Sequence, residues 1–397
     1  MNLIRQLRVE IDQFVKALKQ PGSFGQNLLI RSTGSTVAYL IGFLLSPIIA
    51  RIYLPEVYGQ FAVFNALVAS LSVITTLNYI NAFVLPKSIN HFIPLAQLTL
   101  IVIVVMTAIL FAAVSICGGE VLDLFNITEL GNLIFLLPLF TFFTALVRYI
   151  DFWNVRETEY RTAAKAKVIS IISSKLFTIL LGVITKGSVS GFILGDLSSR
   201  PIQVVALLSR SIRRDWKRVR QVSWPRVRWA AREFRDYPLY NMPANGLMVL
   251  AAQLPVYLLS YYYQIESTGH FTLAYSITAA PIQVLGLSIA SVYYQKAAEA
   301  TQTAVEKVRA LTQKLFNRLI LLGAVPFGLL VTFGREIFMV VFGSNWETAG
   351  NFASYLAFMA FCNFISVSFT SLYRVFRREK LQFLINLSGS ILLCLGM

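Results

Sequence analysis

Three basic side chains, Arg31, Lys175 and Arg200, fall inside long apolar stretches, and Asp196 precedes Arg200 by one helical turn. A charge at the middle of a membrane span costs about 2.5–3.5 kcal/mol on insertion scales, so each needs a partner, a wet cavity or a route to the headgroups. Asp196 and Arg200 stand at i and i+4, where acid and base pair on a helix. They form either a self-neutralised structural pair or a cavity charge whose partner is released when an anionic ligand arrives. Arg31 shares a helical face with Ser35, Ala38, Gly42 and Ser46, opposite the lipid-fit Val37, Ile41, Leu44 and Ile48. It points into a cavity or snorkels to the headgroups. Lys175 follows Ser170, Ser173 and Ser174 and carries the same two readings. Three bases against one acid attract an anion and suit a cation poorly, Arg offering a planar fork of donors and Lys a point charge.

Such charges need spans to hold them. About twenty apolar residues cross the hydrocarbon layer. Eleven windows qualify, near 28–53, 57–85, 94–117, 131–153, 168–186, 189–209, 237–263, 270–294, 315–342, 349–373 and 381–396. Hydrophobic residues make up 56% of the chain and charged residues 14%, against about 25% charged in soluble domains. The segments between windows alternate in charge: every second one is basic, and together these hold 29 of the 35 Lys and Arg. Basic residues near span ends stay cytoplasmic. The pattern therefore predicts an all-α, multi-pass membrane protein with its N-terminus inside, and the net charge of +16 reports topology rather than a nucleic-acid partner. The three cysteines have no metal or disulfide spacing, His91 and His270 stand alone, and no phosphate-binding glycine loop is present; no metal site and no nucleotide hydrolysis are expected.

Residues 1–25 open without a cleavable signal and place Leu3, Ile4, Leu7, Ile11, Phe14, Val15 and Leu18 at helical spacing among basic residues. They read as an amphipathic helix on the cytoplasmic leaflet or as a solvated tail. Residues 26–209 form a first lobe of six spans, 210–236 a strongly basic cytoplasmic connection, and 237–397 a second lobe that ends inside its fifth span. Trp216, Trp224 and Trp229 in that connection either hold anionic lipid or leave it only to fix topology. A repeat supports the division. Tyr53-Leu-Pro-Glu56-Val-Tyr-Gly59-Gln-Phe61 and Tyr263-Gln-Ile-Glu266-Ser-Thr-Gly269-His-Phe271 share Tyr, Glu, Gly and Phe in register at an offset of 210. Two pseudo-symmetric six-helix lobes around a central cavity are predicted, the second apparently incomplete, with substrate carried between them.

The stretch Ser46-Pro-Ile-Ile-Ala-Arg51-Ile-Tyr53-Leu-Pro55-Glu56-Val-Tyr58-Gly59-Gln-Phe61 resembles the first loop of bacterial polysaccharide (lipid-linked oligosaccharide) flippases. Asn78-Tyr-Ile-Asn81-Ala-Phe-Val-Leu-Pro86-Lys87 resembles the end of their second span. These flippases belong to a superfamily that also holds lipid II flippases and multidrug extrusion pumps. The resemblance implies movement of undecaprenyl-pyrophosphate-linked sugar units across the bacterial inner membrane by alternating access. Arg31, Lys175, Arg200 and Asp196 would then meet the pyrophosphate. Asn65, Asn241, Asn245, Gln253 and Gln283, whose amides donate and accept, would meet the sugars or else hydrogen-bond between packed spans. Expected partners are the lipid-linked oligosaccharide, membrane lipids, and the polysaccharide polymerase and assembly machinery. No cofactor is expected beyond a coupling ion, H+ or Na+, which the residues do not identify. A multidrug pump is the competing reading. A membrane glycosyltransferase or polymerase is disfavoured, because acids are sparse and the outward connections are short.

Overall fold

The computed structural model describes residues 24–286 and 305–370, with a few more between 289 and 297 and between 372 and 381. The side chains of 24–33 and 35 fall outside that description, as do the predicted amphipathic helix at 1–25 and most of the window at 381–396. Helices, with no strand, make up the described residues: α1 (Phe24–Ile52), α2 (Pro55–Thr76), α3 (Ile89–Leu124), α4 (Leu137–Arg156), α5 (Tyr160–Ile184), α6 (Val189–Leu207), α7 (Arg210–Arg220), α8 (Trp224–Glu233), α9 (Met242–Tyr262), α10 (Ile265–Pro281), α11 (Val305–Phe342) and α12 (Glu347–Phe369).

Ten of the eleven predicted windows fall on these helices. Among the described residues, seven helices are long and apolar enough to cross a membrane, or eight if α6 and α7, bent by 94°, count as one span. The shortfall has three causes. The apolar part of α1 among the described side chains is only Thr36–Ile52. Helix α10 stops at Pro281, where a π turn, Ile282–Gly286, takes over, because proline breaks the i to i−4 ladder. The third is the window at 381–396. Several predicted connections are helical instead. Helix α3 runs on through Gly118 and Gly119 to Leu124, α11 begins ten residues before its window, and the basic segment 210–236 holds α7 and α8.

By contact the chain divides into two units, 1–273 and 274–397. In the first, α1 lies along α5 and α5 along α6, while α9 packs on α2. Ala38 of α1 is fully buried, and Val37, Leu44 and Ile48 are exposed, so the small-residue face is covered by protein and the branched face is left for lipid. At the basic ends of the spans an aromatic core forms: Phe92 meets Trp153 edge-on at 4.6 Å and Phe83 meets Tyr149 at 5.2 Å. Helices α7 and α8 join this core through Ile212, Val219, Val227 and Ala230. Buried Gln97 of α3 donates to carbonyls in the last turn of α7, at Arg218 (3.1 Å) and Val219 (3.1 Å), and to that of Gln221 just beyond it (2.9 Å), satisfying a helix end that would otherwise lack donors. Asp215, also buried, accepts from Arg214 at 2.9 Å and lies 3.5 Å from Arg218; this bonding pushes the Arg214 guanidinium above its ordinary pKa.

The sequence repeat becomes a physical contact within this unit. A Cβ on Gly59 would lie 2.0 Å from the Ile265 carbonyl oxygen, and one on Gly269 would lie 1.7 Å from that of Pro55. Each repeat's glycine therefore admits the other repeat's backbone, and no larger residue fits. The second unit packs α11 against α12 around Leu319, Phe327, Ala357 and Phe364. The Ser354 hydroxyl donates to the Leu330 carbonyl at 3.0 Å.

Candidate functional site

Helices α4, α5 and α6 assemble a charged network inside the first unit. Asp196 accepts from Arg200 Nη2 at 3.1 Å through one oxygen and from the Ser174 hydroxyl at 2.8 Å through the other. Arg200 Nη1 donates to the Thr144 hydroxyl at 3.1 Å, and its guanidinium lies 5.9 Å from the centre of the Phe140 ring. The pair is about one-fifth exposed. Gly195 makes this approach possible, since a Cβ there would stand 2.5 Å from the Thr178 backbone. Asp196 thus ties α6 to α5, and Arg200 ties α6 to α4. The two charges pair at the one-turn spacing that both sequence readings of Asp196 and Arg200 require.

Lys175 makes no ion pair among the described residues. It is half-buried on α5, where its Cε comes within 3.9 Å of the position a Gly42 Cβ would take. It also lies within electrostatic reach of Asp196. The ammonium is therefore the excess cation of the network. Arg31 belongs to α1, but its side chain lies outside the described residues. The small face it shares meets α5 at Gly42, against Ile171 and Lys175.

A second, uncharged cluster forms where α2 breaks. Leu77 and Asn78 adopt left-handed φ of 44° and 56°, a conformation that asparagine tolerates better than most residues. The turn presents buried Asn78 and half-buried Asn81 to the π turn Tyr237–Asn241 that leads into α9. Asn78 donates to the Asn241 carbonyl at 3.2 Å, Asn81 donates to the Asn241 side-chain oxygen at 2.9 Å, and Asn245 donates to the Asn78 side-chain oxygen at 3.4 Å. Asn241 is exposed, and its own amide N–H group makes no hydrogen bond among the described residues. The sequence marks Asn241 and Asn245 as candidates for sugar contact, whereas Asn78 and Asn81 carry only the family resemblance. Their legible signal was the asparagine at a helix break.

The remaining candidates do not join this cluster through hydrogen bonds. Asn65 on α2 and Gln253 on α9 are half-buried and make no side-chain hydrogen bond among the described residues. The nearby bond between these two helices runs from Ser70 to Tyr257, at 2.9 Å. Gln283 lies in the second unit, in the π turn Ile282–Gly286. Among the described residues no group of three or more His, Cys, Asp or Glu is arranged to hold a metal ion.

Residues 33–351 match the family described as polysaccharide biosynthesis protein. The chain belongs to this family. No curated protein matches it. Among solved structures, its fold is similar to that of a multidrug resistance MATE family transporter of the MOP superfamily in an inward-facing conformation. The TM-score is 0.56 at 13% identity, over 87% of this chain and 86% of that one. At that identity the likeness is one of fold. This polysaccharide-biosynthesis family member is thus a multi-pass membrane protein whose fold is similar to that of a MOP-superfamily transporter.

Proposed function

We propose that this protein is a transporter that moves an undecaprenyl-pyrophosphate-linked oligosaccharide between the leaflets of the bacterial inner membrane by alternating access. One observation carries the reading. In a polysaccharide-biosynthesis chain with a transporter fold, a cluster of four asparagines sits at a break between spans, apart from a network with a cation in excess. Amides exchange hydrogen bonds with hydroxyl-rich sugars through both donor and acceptor sites, and a cation in a low-dielectric setting favours a pyrophosphate. Helix breaks at cavity-facing positions are where transporters of this architecture expose backbone and polar groups to substrate. The same reading places the N-terminus and the basic ends in the cytoplasm and treats 26–209 and 237–397 as the two lobes. A coupling ion, H+ or Na+, is compatible with it, and no residue is assigned a catalytic role.

The direct test reconstitutes the protein in vesicles with a labelled lipid-linked oligosaccharide and follows its accessibility in each leaflet. Wild-type protein is expected to equilibrate the label. The variants Lys175→Ala and Asn78→Ala/Asn241→Ala are expected to slow it at unchanged protein levels. A rate equal to that of protein-free vesicles, together with transport of a fluorescent cation, would favour the multidrug-pump alternative suggested by the fold neighbour.

A further inference from the structure

One cavity of the first unit lies outside both clusters. It measures about 220 Å³ and is enclosed by α4, α5 and α6, with Arg148 and Asp151 from α4, Ala163, Ala164 and Lys167 from α5, and Gln203 from α6. The two alanines are buried and too small to fill it. Gln203 is oriented by the Ser170 hydroxyl, which donates to its side-chain oxygen at 3.0 Å, leaving the amide N–H group as a donor. Lys167 is held with its ammonium 5.2 Å from the centre of the Tyr39 ring. Arg148 is half-buried. Guanidinium, ammonium and amide are all donors, and such a set suits an oxyanion through charge-assisted hydrogen bonds.

Size and charge narrow the ligand. Pockets for drug-sized molecules run to roughly 300–1,000 Å³, so this one admits a phosphate group and excludes a sugar repeat unit. Among the described lining residues, Arg148 and Lys167 outnumber Asp151 by one charge. That balance suits a monoanion, and the carboxylate disfavours a dianion. The surrounding sequence is basic as well, with exposed Arg161 and Lys165 on the same helix as Lys167. We propose that this cavity binds a phosphodiester monoanion, supplied by the headgroup of an anionic phospholipid.

Native mass spectrometry of the full chain released from micelles containing phosphatidylglycerol or phosphatidylcholine tests this. Wild-type protein should retain phosphatidylglycerol in preference to phosphatidylcholine. Lys167→Ala and Arg148→Gln should each lower retention about fivefold, the weight of one basic residue near an anionic surface. Lys167→Arg should keep it, and Arg161→Ala with Lys165→Ala should change it less than twofold. If Arg148→Gln fails to fold, Lys167→Ala decides, because its side chain sits at the cavity edge over Tyr39. Unchanged retention in Lys167→Ala, or an equal loss in the exposed-residue control, overturns the site. Added inorganic phosphate should not displace the lipid; displacement by phosphate without any lipid preference overturns the lipid source.

Discussion

The charged network of α4–α6 and the asparagine cluster between α2 and α9 solve the same problem, polar groups among apolar helices, in different ways. In the network, Asp196 is engaged on both oxygens and Arg200 on two of its nitrogens, by each other within α6 and by Ser174 and Thr144 of the two helices that precede it in sequence. In the cluster, the partners come from segments about 160 residues apart, and Asn241 remains exposed. Full pairing of a charge suits fixed packing, because leaving either partner alone is costly. Partial pairing of neutral amides suits a surface that rearranges, since each loses little when a bond is exchanged. Stability therefore rests chiefly on the first region, whose excess cation is Lys175, and under the proposed function substrate contact falls chiefly to the second.

The sharpest way to break that contrast is Asp196→Asn. Leaving the Arg200 charge without its acid should cost about 3–5 kcal/mol, read as a large fall in melting temperature and membrane yield. Adding Arg200→Gln should restore most of it. A single variant as stable as wild type would remove the structural role. Next in size is Gly59→Ala. With a carbonyl oxygen 2.0 Å from the new Cβ, overpacking should cost about 1–3 kcal/mol, measured by thermal melting in detergent. Gly269→Ala should do the same, as the other half of one crossing.

For the asparagine cluster the expectation is reversed. Asn78→Ala should change the melting free energy by only about 0.6–1.7 kcal/mol, the range for hydrogen bonds between membrane helices, while slowing transport in the vesicle assay. Stability loss without a transport defect would make the cluster a packing device and remove its distinction from the network. The smallest effect belongs to Tyr53→Phe, which deletes the bond to the Thr178 carbonyl at 2.8 Å. About 1 kcal/mol is expected, with unchanged transport, because this contact only joins α1 to α5.

Much of the fold was legible because the bilayer imposes its own code. The starts of α2 and α12 and the ends of α5 and α9 follow from apolar length and flanking charge, and the Asp196–Arg200 pair from a spacing of one helical turn. The lipid face of α1 was readable from the alternation of Ala38 and Gly42 with Val37 and Leu44. Breaks inside apolar runs were less visible. The end of α2 at Thr76 and the π turn after Pro281 interrupt stretches whose hydropathy does not change, so composition reads through them. The helical course of α3 past Gly118 and of α7 through the basic segment was hidden for the opposite reason, since glycines and charges suggest loops until a packing partner supplies the missing stability.

The sequence by itself determined that the chain is helical, membrane-embedded and repeated at an offset of 210, because burial in lipid constrains each segment locally. Only the tertiary structure decided which polar groups and glycines distant in sequence meet. Asn78 finds Asn241, Gln97 finds the end of α7, and Gly59 and Gly269 each admit backbone of the other repeat, 210 residues away in sequence. Those pairings depend on how helices cross, and a crossing is set by the shapes of two distant surfaces rather than by either segment alone.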